Sequence, residues 1–395
     1  MSRAIAMLFG VVFLCLVPSL PTLALSSPDS VPSHGGSVDG KEVSPYLFAD
    51  LERLARLVDI SYCIGSTGIT KPFQCVSRCD EFPTLSLVTT WNTGILLSDS
   101  CGYIAVDHGT AQPSSSDENR DNGGERGAII VAFRGTYSIT NTVIDLSTVP
   151  QQYVPYPSPD DGGDRPKKPH HECTNCTVHM GFLQSWRNAR TLVLPDLMEL
   201  KAQYPSYPIH LVGHSLGGSV ACLAALELKV SLGWDDVTVT TFGEPRTGNY
   251  QLARFVDEVF ELDGEALLGR RSYRRVTHNN DPVPLLPLDE WGYRSHAGEI
   301  YIAKTDLPPT EQDIYICIGD EDPSCSAGES GTNGMVRQDQ QGGEAEMAGF
   351  PTRFKIWQLL FAHRDYFWRL GLCVPGGDPF NWGRPRYETP DTDEL

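Results

Sequence analysis

Leu47, Leu51, Leu54 and Val58 recur at helical spacing behind Ser44-Pro45, a polar cap followed by the residue suited to a helix's first position. The pattern predicts an amphipathic helix ending near Cys63. Further along, short apolar β-type runs alternate with longer helical patterns. Residues 128–133, 209–212, 237–242 and 275–277 read as strands, and 299–303 alternates as a strand does. Residues 182–201 and 217–232 read as helices. Strands separated by helices of that length need crossover connections, so the expectation is an α/β fold with a largely parallel central sheet flanked by helices. Three polar stretches rich in Gly, Pro and Asp (109–127, 158–171 and 319–349) read as surface insertions in one domain, and no internal repeat is visible.

The amino-terminus reads as an address: Arg3 precedes an apolar run from Ala6 to Leu20, and Thr22-Leu23-Ala24 offers a small-x-small cleavage site. A signal peptide over 1–24 is expected, because the run is short and broken by Pro18 and Pro21. No later stretch is long enough to span a bilayer, so no stable membrane insertion is expected. Residues 25–43 lack periodicity and read as a flexible or pro-segment, 44–377 as the folded domain and 378–395 as an acidic tail. The chain ends Thr392-Asp393-Glu394-Leu395; without Lys or His before Asp-Glu-Leu, this reads as an acidic end rather than an ER-retention signal.

A formal net charge of -19 argues against a nucleic-acid partner and disfavours anionic membranes, but leaves a neutral ester or an oil surface compatible. Of the 11 cysteines, Cys15 lies in the leader, and the remaining even number in an oxidising compartment implies bridges. Cys75/Cys79, Cys173/Cys176 and Cys317/Cys325 are close pairs. The Cys-x-x-Cys at 173–176 has no second half, which favours a disulfide over zinc or redox chemistry. Asn175-Cys176-Thr177 is also an N-glycosylation sequon, with a cysteine at its centre whose bridging would limit modification.

The strongest chemical signal is Gly213-His214-Ser215-Leu216-Gly217-Gly218, between the apolar Ile209-His210-Leu211-Val212 and Ser219-Val220-Ala221-Cys222. A strand running through a tight glycine-flanked turn into a helix is the setting of a nucleophile elbow. A serine hydroxyl needs a histidine base and a carboxylate to orient it, which in this fold follow in the order Ser, acid, His. Asp281, in His278-Asn279-Asn280-Asp281-Pro282, falls where Pro282 stops a strand, and ranks ahead of Asp257, Glu258, Glu261 and Asp289. Spacing alone does not choose between His296 and His363 as the base. The oxyanion donors expected are the N–H of Leu216 and, at the exit of the strand ending Phe133-Arg134-Gly135, that of Thr136, for which an ordinary turn residue is an equal alternative.

Taken together, Phe133-Arg134-Gly135-Thr136, Val178-His179-Met180-Gly181-Phe182, the Ser215 motif, Thr241-Phe242-Gly243-Glu244-Pro245-Arg246-Thr247-Gly248-Asn249 and Asp281-Pro282-Val283-Pro284 resemble the fungal class 3 triacylglycerol lipases over nearly all of the mature chain. The resemblance implies an α/β-hydrolase fold, Thr136 in the oxyanion hole, His363 as the catalytic histidine and a Cys63–Cys373 bridge. Cys101 and Cys222 are left over, Cys222 reading as a small buried hydrophobe. It also implies a helical lid over 137–146, where Ile139, Val143 and Leu146 share a face with Ile144 beside it; Thr142 stands where the family usually has tryptophan. The activity implied is hydrolysis of a lipid ester at an oil–water interface through an acyl-enzyme, by a secreted monomer, with no metal or organic cofactor. A feruloyl esterase or phospholipase on the same scaffold is the alternative, and a catalytically inactive hydrolase-like binding protein ranks lower.

Overall fold

The computed structural model describes residues 42–94, 96, 98–109, 127–136, 150–154, 172–262, 271–328, 361–375 and 377–379. The leader, the proposed lid residues Ile139, Val143, Ile144 and Leu146, and the tail from residue 380 lie outside the described residues. The fold takes in Glu42, which bridges to Tyr315, and buried Val43, two residues ahead of the expected start.

Helix α1 runs Pro45–Ile60, capped by Ser44, whose Oγ accepts the Leu47 N–H at 3.2 Å. Along the chain follow β1 (Leu85–Asn92), β2 (Cys101–Asp107), β3 (Ala128–Phe133), β4 (Pro150–Gln152), β5 (Thr177–His179) and α2 (Met180–Gln203). Then come β6 (Ile209–His214), α3 (Leu216–Leu226), β7 (Val237–Phe242), β8 (Gly248–Asn249) and α4 (Tyr250–Phe260). The series closes with β9 (Tyr273–His278), β10 (Tyr293–Arg294), β11 (Glu299–Ile302) and β12 (Ile314–Ile316).

The main sheet has the order β1-β2-β3-β6-β7-β9-β11-β12. Its centre, β3 to β11, is parallel, as the alternation of strands and helices predicts, and its outer pairings are antiparallel. Both faces are covered, which is why the central strands read as near-continuous apolar runs. On β3, Ile129, Val131 and Phe133 join a core built with α2, α3 and α4, whereas Ile130 and Ala132 join a second core with α1 and the segment around Tyr366. A smaller antiparallel sheet, β10-β8-β5-β4, went unpredicted because its strands are two or three residues long. The helix expected over 217–232 starts at Leu216 and changes to a π-helical turn over Glu227–Ser231.

Disulfides join Cys63 to Cys373, Cys75 to Cys79, Cys173 to Cys176 and Cys317 to Cys325. Cys101 and Cys222 are free and buried.

Candidate active site

Ser215 stands between β6 and α3 with φ 57° and ψ -132°, a conformation costing roughly 1–3 kcal/mol for a residue with a side chain. The turn is held on both sides: Ser215 N–H donates to Phe242 O at 2.9 Å, and Gly218 N–H to Ser215 O at 2.8 Å. Beyond β3, Gly135 passes so close that a Cβ there would lie 2.9 Å from Ser215 Cβ and 2.5 Å from the Tyr62 hydroxyl. That approach puts half-buried Thr136 next in line after the segment touching the serine, while Leu216 opens α3 with its N–H in the first turn, where helix donors lack partners within the helix.

Asp281 follows β9 by three residues, after Asn280 in the left-handed region at φ 65°. Its carboxylate is buried and fully engaged. His363 Nδ1 lies 3.0 and 2.9 Å from its two oxygens, the Tyr366 hydroxyl donates to Oδ2 at 2.6 Å and Val283 N–H to Oδ1 at 2.9 Å. Burial alone would raise the Asp281 pKa, but the adjacent His363, the Tyr366 hydroxyl and the Val283 N–H outweigh it and hold the group below its ordinary value. An ionised carboxylate only accepts, so it fixes the proton of His363 on Nδ1 and leaves Nε2 as an acceptor. Nε2 is buried and has no hydrogen-bond partner among the described residues.

His214 supports that imidazole from behind. The two rings stack at 4.7 Å and 27°, and His214 Nε2 lies 2.8 Å from His363 O, so Nε2–H donates and Nδ1 accepts from the Tyr62 hydroxyl. Burial, with His363 beside it, pushes the His214 pKa well below its ordinary value, and the ring stays neutral. Gly243, at φ 60° after β7, completes the enclosure. A Cβ there would fall 2.5 Å from the Tyr366 hydroxyl, 2.8 Å from His363 Cε1 and 3.0 Å from Asp281 Oδ2.

Of the two histidines that spacing left open, the fold brings His363 to Asp281. His296 is buried elsewhere, its Nδ1 2.7 Å from Ala297 O and its ring edge-on to Tyr273 at 4.4 Å. Asp257 is a buried residue of α4 that accepts from Ala297 N–H at 2.8 Å. Cys222, Glu244 and His296 bring three ligand-type atoms within 4.8 Å of one another. Glu244, however, already accepts from Thr241 at 2.7 Å, Tyr273 at 2.9 Å and Thr247 at 3.1 Å, so its oxygens are committed within the protein. Sequence reasoning passed over Tyr62 and Tyr366 and set His214 aside as non-catalytic; the local signals are the positions of His214 directly before Ser215 and of Tyr366 three residues after His363.

A strained serine between a parallel strand and a helix, with a carboxylate delivered after the end of β9 and an imidazole from the turn Ala362–Arg364, defines an α/β-hydrolase of the serine-esterase class. Residues 130–291 match the family described as Lipase (class 3). A secreted mono- and diacylglycerol lipase 2 of Gibberella zeae is 64% identical over 396 residues, covering 96% of this chain and 96% of that protein. Lipase A of Sodiomyces alcalophilus is 60% identical over 360 residues, covering 87% and 86%. Among solved structures, the Lip2 lipase of Yarrowia lipolytica superposes with a TM-score of 0.64 at 28% identity, over 84% of this chain and 97% of that one. The chain belongs to the class 3 lipases and is a secreted serine ester hydrolase acting on lipid esters.

Proposed function

We propose that Ser215 is the nucleophile, His363 the general base oriented by Asp281, and the N–H groups of Leu216 and Thr136 the oxyanion donors. The observation carrying this is the buried His363–Asp281 pair, with Nε2 engaged by none of the described residues. In this scheme Nε2 takes the Ser215 proton as Oγ bonds to the ester carbonyl carbon, and the carbonyl oxygen takes up the negative charge. Collapse expels the alcohol, protonated by His363. Water, deprotonated by the same nitrogen, then releases the fatty acid from the acyl-enzyme. Each oxyanion donor is worth roughly 10²–10³ in kcat. Every proton transfer is assigned to a side chain of this protein, and no metal or organic cofactor enters.

The substrate we infer is an acylglycerol met at an oil–water interface by a monomer, with Ile139, Val143, Ile144 and Leu146 forming the apolar face of a lid. The name of the 64% identical relative favours mono- and diacylglycerols alongside the triacylglycerols suggested by the family resemblance. The test is the hydrolysis rate of the purified protein on tri-, di- and monoacylglycerol dispersions titrated through their solubility limits. A rate jump above the limit is expected, with a loss of at least about 10³-fold in Ser215→Ala. Cleavage confined to soluble aryl, feruloyl or phospholipid esters would overturn the substrate assignment, and activity surviving in Ser215→Ala would overturn the mechanism.

A further inference from the structure

We propose that Asn175 carries an N-linked glycan in the secreted protein. Asn175-Cys176-Thr177 is the only Asn-x-Ser/Thr sequence in the chain, and the structure presents it as a projecting turn. Asn175 is exposed at φ 57°, a left-handed conformation that asparagine tolerates, and its side-chain amide hydrogen-bonds to none of the described residues. A groove of about 410 Å³ opens beside it, lined by Thr174, Cys176, Tyr250, Gln251 and Phe255, with Tyr250 53% exposed. The first sugar rings have room there and an aromatic face to lie against. In the transfer, the amide nitrogen of Asn175 bonds to the anomeric carbon of a lipid-linked oligosaccharide diphosphate. The carbon–phosphate oxygen bond breaks, the diphosphate leaves and the amide loses one proton.

The Cys173–Cys176 bridge is the apparent obstacle, because it closes over the centre of the sequon. The order of assembly removes it. Besides that bridge, the folded turn is clasped by Asn249, whose Nδ2 donates to Asn175 O at 2.9 Å and whose Oδ1 accepts Thr177 N–H at 3.0 Å. Asn249 lies 74 positions later, about 4–15 s of synthesis at ordinary elongation rates. Disulfide formation takes seconds to hours. The clasp is therefore absent while the modifying enzyme can reach the sequon, we take the bridge to close later than that, and the finished fold holds the modified side chain outward.

The experiment is peptide mass spectrometry on full-length protein secreted from a glycosylating eukaryotic host, with and without glycosidase release of the glycan in heavy-oxygen water. A glycopeptide spanning Asn175, converted on release to isotope-labelled aspartate, is expected. It should vanish in Thr177→Ala, with hydrolytic activity unchanged. The double substitution Cys173→Ser and Cys176→Ser keeps the sequon and deletes the bridge. Occupancy in both wild type and double variant supports the proposal. Occupancy in the double variant alone means that the bridge closes first, and overturns it, as does an unmodified peptide in both.

Discussion

Tyr366 donates its hydroxyl to a carboxylate that is buried, ionised and already paired with His363. A hydrogen bond to a charged group contributes about 1.5–3 kcal/mol. Tyr366→Phe leaves the ring packed edge-on against Phe242 and His214 and removes one oxygen. The expected result with a soluble ester is a fall in kcat of about tenfold to a hundredfold and a nearly constant KM. An unchanged kcat would mean that His363 and Val283 hold Asp281 adequately by themselves. The closeness of Tyr366 to His363 marks it in the sequence, but its bond to Asp281 is not legible there, since the hydroxyl and its partner are 85 positions apart and nothing between them encodes the meeting. The turn at Ser215 was legible for the opposite reason: its strand, glycines and helix are contiguous, and each local choice serves the same bend. Asp281 stood between these cases, because Pro282 announces a strand end without saying what the strand end faces.

At the level of elements, α1 and the segment after His363 are clamped together by more than apolar packing. Trp368 lies between the guanidinium groups of Arg56 and Arg78, at 4.9 and 4.7 Å, and Gly371 N–H donates to Asp59 Oδ1 at 2.7 Å. Burial lifts the Asp59 pKa from 3.8 to about 6, against the pull of the Gly371 N–H and Arg78. Between those values the native protein holds a proton that the unfolded chain has released. The contribution of Asp59 to stability is thus full below about pH 4 and is lost as pH rises through 6, on the order of 3 kcal/mol. Asp59→Asn should flatten this stretch of the profile in urea unfolding at stepped pH; a curve parallel to wild type would assign the dependence to other groups. The same clamp explains uneven legibility. The spacing of α1 was plain because Leu47, Leu51, Leu54 and Val58 keep a helical interval even though residues 54–60 are buried all round, whereas β1 and β2 escaped notice. All seven residues of β2 are buried, Gly102 and Asp107 among them, so no alternation marks it.

On the scale of the molecule, the two cores on opposite faces of the sheet are joined through alternating residues of the same strands, within the helix-flanked parallel sheet that the succession of strand and helix patterns foretold. The insertions and the lid segment lie largely outside the described residues, and their polar or short apolar patterns carried only an expectation. One connection reaches further than any strand. The Cys63–Cys373 bridge spans 310 positions and encloses residues 329–360, which separate Asp281 from His363 along the chain. Covalently this part of the protein is a ring, and a ring cut once is still a single molecule. A protease nick within 329–360 would put His363 on a separate fragment, yet the bridge would keep that fragment at high effective concentration beside its site. Nicked enzyme should therefore run as one band without reductant, keep most of its hydrolytic activity, and lose it when a thiol frees the smaller piece. Activity lost at the nick, before reduction, would show instead that the continuity of the chain there sets the position of His363.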